Sequence, residues 1–188
     1  FHSRSRTKTV YFVYSGEVML YNLTKHGNRK VIFILGKGQL LNQSIVSKKP
    51  NALFCEAVCP VKVIEIAEEQ FLQLMEQSHA LTRAVLREYE RNLWRMGHQL
   101  KNTTGNMQME RKIAAKLWKL GRDFGVDTEE GVMIDIDLTI TLMADLVGAP
   151  RENVSRACKV LTDRGLIRYG NKRFILTDSD GLAEFYKM

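Results

Sequence analysis

A chain of 188 residues, 45% of them hydrophobic, can hold one large domain or two small ones with ordinary cores. Its net charge of 28 − 21 = +7 favours a polyanionic partner. No apolar run approaches the ~18 residues that span a bilayer, and none resembles a secretion signal, so no membrane partner is expected. Three cysteines, an odd number and few for this length, point to a reducing compartment, and a cytoplasmic protein is expected.

Strand-like sequence begins almost at once. Tyr11-Phe12-Val13-Tyr14 is followed by a Ser15-Gly16 turn and then by Glu17-Val18-Met19-Leu20-Tyr21. His26-Gly27-Asn28 turns into Lys30–Leu35, which Gly36-Lys37-Gly38 ends, and Val63-Ile64-Glu65-Ile66 forms a later run. Short β-rich runs punctuated by glycine suggest a compact sandwich or barrel. Cys55 and Cys59, four apart on an extended strand, would stand roughly 13 Å apart at their Cα atoms. A disulfide needs under ~7 Å, so they pair only if Cys59-Pro60 folds back. Core packing is the expectation for Cys55, Cys59 and Cys158, with redox sensing the alternative.

A helical region starts near Glu68 and becomes a long helix from about Ser78. Leu86, Tyr89, Leu93, Met96, Leu100, Thr103 and Met107 are spaced alternately by three and four, a heptad seam flanked by Arg83, Arg87, Arg91 and Arg95 on outer positions. Two readings stand. The seam zips onto a second copy, or the helix lies on its own β domain. The first is preferred, with Leu86, Tyr89, Leu93, Met96 and Leu100 as interface. Asn102-Thr103-Thr104-Gly105-Asn106 has helix-breaking composition and predicts a hinge.

A second helix follows through Met109, Ile113, Leu117 and Leu120 to Gly125, then an acidic loop from Asp127 to Gly131 and a strand over Val132–Ile136. Thr139 suits the N-cap of a short helix with apolar positions Leu142, Met143 and Leu146. Gly148-Ala149-Pro150 stops it and starts another, whose inner face is Val154, Ala157 and Leu161. Arg151, Glu152, Ser155 and Arg156 fall on the outer face of that second helix. Two helices joined this way are a helix-turn-helix, in which the second helix presents polar residues to base edges in the major groove. Downstream, Gly165–Tyr169 and Lys172–Leu176 flank Gly170-Asn171 and read as a hairpin wing. Arg168, Lys172 and Arg173 there reach phosphates, or are merely solvated.

The Arg151-Glu152-x-Val154-Ser155-Arg156 string, with Leu146-Val147-Gly148 before it and Gly165-Leu166-Ile167 after it, resembles the recognition helix of the CRP/FNR family of bacterial transcription regulators. Tyr14-Ser15-Gly16-Glu17-Val18 resembles the sensor β-roll of the same family, relative to which the first strands and N-terminal helix are missing. The resemblance implies an α+β chain with an antiparallel β-roll (a jelly roll of the cyclic-nucleotide-binding kind), a long dimerisation helix and a C-terminal winged helix-turn-helix. The expected boundaries are 1–77, 78–106 and 107–188. It implies base contacts from Arg151, Glu152, Ser155 and Arg156. Backbone contacts fall to Thr139, Thr141, Lys159, Arg168, Lys172 and Arg173. The partners implied are double-stranded DNA, a second copy, and RNA polymerase if the protein activates.

Cyclic-nucleotide-binding members of the family carry a phosphate-binding cassette over the stretch that here runs from Gln39 to Ala57. By register, its Gly-Glu positions hold Asn42 and Gln43 and its Arg-Ser positions hold Asn51 and Ala52. Lys48 and Lys49 are near, but an ammonium is not a bidentate guanidinium. The expectation is therefore a chain without a cyclic-nucleotide cassette, for which cyclic AMP is an unlikely ligand, switched by another effector or a redox signal in the roll.

Two functions of other classes compete. A β-roll resembles cupin barrels that hold catalytic metals, yet His2, His26, His79 and His98 show no paired spacing, so neither a metal site nor a catalytic residue is assigned. A pure protein-interaction module would use the heptad helix but leave the wing and the Arg-Glu-x-Val-Ser-Arg helix without a role.

Overall fold

The computed structural model describes residues 1–42, 44–104 and 107–187, and of residues 101–104 the backbone alone. Gln43, the Thr103 side chain and Gly105-Asn106 of the expected hinge lie outside the described residues. The chain divides into two compact units, Phe1–Gly27 with Val31–Lys101, and Asn28–Lys30 with Asn102 onward. Among the described residues no helix is long and apolar enough to cross a membrane.

The first unit is the antiparallel β-roll expected from the sequence. Its strands are β1 Thr9–Ser15, β2 Val18–Leu23, β3 Arg29–Leu35, β4 Phe54–Ala57 and β5 Lys62–Ala67. β1 pairs with β5 from Thr9 opposite Ala67 to Val13 opposite Val63, while β2 lies between β3 and β4. The β1–β2 turn requires glycine at 16. Its φ is +80°, and a Cβ there would stand 2.5 Å from the Pro60 carbonyl oxygen. Inward side chains build two apolar clusters, one around Val13, Val18, Leu20, Phe33 and Leu35, the other around Val10, Leu40 and Ile45. Two helices close the second cluster. α1 (Glu68–Gln77) contributes Phe71 and α2 (His79–Thr104) contributes Val85. Ser78 separates them in extended backbone, and its hydroxyl accepts from the Leu81 N–H at 3.2 Å.

Two buried asparagines tie the stretch after β3 to the start of the chain. Asn42 Oδ1 accepts from the Tyr11 N–H at 2.7 Å, and its Nδ2 donates to the Thr9 carbonyl at 2.9 Å and to Thr7 Oγ1 at 3.1 Å. The backbone N–H of Asn51 donates to the Ser5 carbonyl at 2.9 Å, and its side-chain amide donates to the same oxygen at 3.2 Å. Buried amides persist only when satisfied in this way. Of the cysteines, Cys55 packs against the first cluster and Cys158 is buried in the second unit. Cys59 departs from the core packing expected of it. It lies beyond β4 in a bend, where its Sγ donates to Glu17 Oε2 at 3.0 Å and accepts from the Glu17 N–H at 3.3 Å.

α2 has two faces. Val85, 5% exposed, and Tyr89 pack into the roll, and the Tyr89 hydroxyl donates to the Asn42 carbonyl at 3.4 Å. Gln99 donates to the Ile32 carbonyl at 2.7 Å, and the Arg95 guanidinium stacks 5.3 Å from the Phe33 ring centre. Tyr89 and Arg95 therefore differ from expectation: neither the seam position of the one nor the outer position of the other holds, because both side chains find partners on the roll. Leu86, Leu93, Met96 and Leu100 remain exposed on the neighbouring face. Of the expected hinge, Asn102–Thr104 are helical in backbone and belong to α2.

The second unit opens with α3 (Met109–Phe124), whose buried stripe is Ile113, Ala114, Leu117 and Leu120. A hairpin follows, β6 (Gly125–Thr128) and β7 (Gly131–Ile134), in which Thr128 faces Gly131. Part of the stretch expected to be an acidic loop is thus strand. Next come α4 (Ile140–Val147), α5 (Arg151–Asp163), β8 (Ile167–Gly170), β9 (Arg173–Leu176) and α6 (Ser179–Lys187). The sheet order is β6-β7-β9-β8. α6 was not foreseen from the sequence, although Asp178 Oδ1 accepts from the Gly181 N–H at 2.8 Å and Leu182 is fully buried behind it.

Candidate nucleic-acid interface

The site is built from α4, α5 and the β8–β9 hairpin. α4 starts at Thr139, whose Oγ1 accepts from the Leu142 N–H at 3.0 Å and so satisfies one of the free donors of the first turn. It stops at Gly148, which sits in the left-handed region with φ 72° and ψ 48°, and whose N–H donates to the Ala144 carbonyl at 2.8 Å. Pro150, extended at φ −57° and ψ 141°, then launches α5.

Val154, Ala157, Cys158 and Leu161 of α5 are buried, packing it on the domain, and burial pushes the Cys158 thiol up to about 11. The opposite face is open. Arg151, Glu152, Ser155 and Arg156 are all exposed, as are Lys159 one turn on and Thr141 on α4. The four residues expected to read bases are thus brought together on the outer face of the first two turns. Asn153 joins them. Its Oδ1 accepts from Arg156 Nη2 at 2.6 Å, a contact the motif string does not suggest because it leaves position 153 open.

The wing differs in register from the expected Gly170-Asn171 turn. Gly170 pairs with Arg173, and Asn171 and Lys172 form the two-residue loop with φ of 48° and 59°. Two central residues at positive φ make a turn of the I′ kind, whose twist matches that of the strands. Its cations are placed unequally. Arg168 pairs with Glu130 at 3.0 Å. Arg173 pairs with Asp135, and with Asp137 at 3.7 Å. Lys172 stands exposed at the tip. The three acidic partners come from the β6–β7 hairpin and the segment after it, and their role was invisible in the sequence because the pairs span roughly forty residues of chain.

This geometry is matched by known domains. Residues 111–185 match the Crp-like helix-turn-helix domain, and residues 1–78 match the cyclic nucleotide-binding domain. The CRP-like cAMP-activated global transcriptional regulator of Mycobacterium tuberculosis is 25% identical over 175 residues, 93% of this chain and 78% of that protein. The global nitrogen regulator of a Nostoc species is 25% identical over 167 residues, 87% of this chain and 74% of its own length. FixK2 from Bradyrhizobium japonicum is similar in fold, with a TM-score of 0.84 at 19% identity, covering 98% of this chain and 90% of that one.

A β-roll followed by a winged helix-turn-helix defines a DNA-binding transcription regulator. The two matched domains, in this order, make the chain a transcription regulator of the CRP/FNR type. The same finding corrects one expectation. The substitutions at Asn42, Gln43, Asn51 and Ala52 suggest a chain without a cyclic-nucleotide cassette, yet residues 1–78 match the cyclic nucleotide-binding domain. Domain type is carried by the strands, turns and core of the entire segment, and side chains at four places do not unmake it.

Proposed function

We propose that this regulator works as a homodimer that reads a palindromic operator, one α5 in each of two adjacent major grooves. The observation that carries the reading is the exposure of Arg151, Glu152, Ser155 and Arg156 on one face of a helix whose other face is buried. Arg156 pairs bidentately with a guanine, Glu152 accepts from a cytosine amino group, and Arg151 and Ser155 complete the readout. Thr139, Thr141, Lys159 and Lys172 contact phosphates. Arg168 and Arg173 do so by exchanging their carboxylate partners for phosphate oxygens.

A palindrome calls for a two-fold protein. The exposed stripe of Leu86, Leu93, Met96 and Leu100 on α2 supplies a surface that a second copy covers, whereas Tyr89 serves its own roll. The roll holds the effector, in keeping with its domain match and with relatives named as cAMP-activated, and effector binding shifts the dimer toward the form that fits the operator. RNA polymerase is the further partner if the outcome is activation, and the cytoplasm is the place of action.

Selection of bound duplexes from a random-sequence pool tests the reading. The expected winners are palindromes with half-site centres about one helical turn apart. Winners without two-fold symmetry would contradict it.

A further inference from the structure

We propose that Asn153 is a positioning residue for Arg156, so that the pair, and not the arginine alone, sets the base that α5 reads. The inference rests on the reading of α5 as the base-contacting helix. Three positions apart, the two residues share a face of α5. Arg156 Nη2 donates to Asn153 Oδ1 at 2.6 Å. A guanidinium has donors only, so the amide must present its oxygen to it. The acceptor is itself placed by the start of the helix, where the Asn153 N–H donates to the Pro150 carbonyl at 3.1 Å.

Side chains on a helix lean toward its N-terminus, and this bond holds the guanidinium back toward the first turn, over Asn153. That is the end of a recognition helix that meets base edges. An arginine loose in solvent loses rotamer freedom when it binds, whereas one already held loses less. Of its five N–H donors one is used here, which leaves four where guanine O6 and N7 need two. The readout is compatible with the bond. While the bond stands, one of the two lone pairs of Asn153 Oδ1 is taken.

The test is a double-mutant cycle in the full-length protein. Wild type, Asn153→Ala, Arg156→Ala and the double variant are titrated against the selected operator, a scrambled duplex, and an operator with the critical guanine pair exchanged. Removing this exposed hydrogen bond should weaken operator binding by about threefold to tenfold per half-site and leave scrambled binding unchanged. In the Arg156→Ala background the same change should cost nothing further. Asn153→Asp, which keeps the acceptor, should lower affinity for every duplex but keep the preference for operator over the exchanged site. A loss that persists without Arg156 would mean that Asn153 touches DNA itself, and unaltered operator binding by Asn153→Ala would mean that the bond has no part in readout. Either overturns the assignment. Should Arg156→Ala bind the operator as wild type does, the base-reading assignment of α5 falls first, a result distinct from both.

Discussion

The backbone N–H of Leu138 donates to the carbonyl of Lys172 at 2.7 Å, fastening the tip of the wing to the residue before the Thr139 cap. The wing therefore cannot swing independently of α4 without losing a hydrogen bond. It also fixes how the Lys172 charge should be removed. Lys172 has φ of 59°, where alanine is strained and glycine is not. Lys172→Gly should weaken operator and scrambled duplexes alike and reduce the slope of log affinity against log salt by about one per protomer, about two for a dimer. A loss confined to the operator would place Lys172 among the base contacts instead.

Arg173 is held by Asp135 and Asp137 at half-exposed positions. Such pairs contribute under about 1 kcal/mol, so changing both carboxylates to amides should barely lower thermal stability. It should tighten binding to every duplex, because Arg173 is released and two negative charges leave the DNA side. Titration of Asp135→Asn with Asp137→Asn at low salt checks this. Unaltered affinity there would mean that Arg173 serves the wing alone.

The α2 stripe gives a paired prediction. Leu93 is 72% exposed in the single chain, so Leu93→Glu should leave the roll folded and dissociate the proposed dimer. Burying a leucine is worth roughly 1.5–3 kcal/mol per chain. Val85→Glu, buried in the roll core, should unfold the first unit instead. Sedimentation with circular dichroism separates the outcomes, and an intact Leu93→Glu dimer would place the interface elsewhere.

The parts that could be read from the sequence were those where local chemistry decides geometry. Thr139, Gly148 and Pro150 specify a cap, a stop and a restart, and α4 and α5 follow. Heptad spacing, by contrast, counts apolar residues without saying what they face. Tyr89 fits the seam by number, yet its ring and hydroxyl find the roll core and the Asn42 carbonyl. β6 was missed because all four of its residues are exposed, so no alternation marks it and only backbone pairing to β7 makes it a strand. The wing turn slipped one residue because Asn171 suits either position of a tight loop. The nucleotide-binding domain was misjudged through four side chains, when its type resides in some eighty residues of fold.

Cys158 predicts an alkaline limb of stability. Its thiol titrates near 9.0 when unfolded and at about 11 when folded. The folded state keeps a proton that the unfolded state has released, so its contribution is whole below pH 9 and is lost as pH rises to about 11. The decline is at most roughly 1.4 kcal/mol per pH unit. Denaturant melts of wild type and Cys158→Ala across pH 8–11 should converge as pH rises. Parallel curves would mean that the thiol is not desolvated.

The account stands or falls on Arg156. Binding of wild type and Arg156→Ala to operator and scrambled duplexes, each at two salt concentrations, separates base reading from charge. A good bidentate contact discriminates by about 1–3 kcal/mol. Arg156→Ala should therefore lose operator affinity by roughly one to two orders of magnitude per half-site and keep most of its scrambled affinity, so the specificity ratio collapses at both salts. Equal losses on the two duplexes would show that α5 binds DNA without reading it.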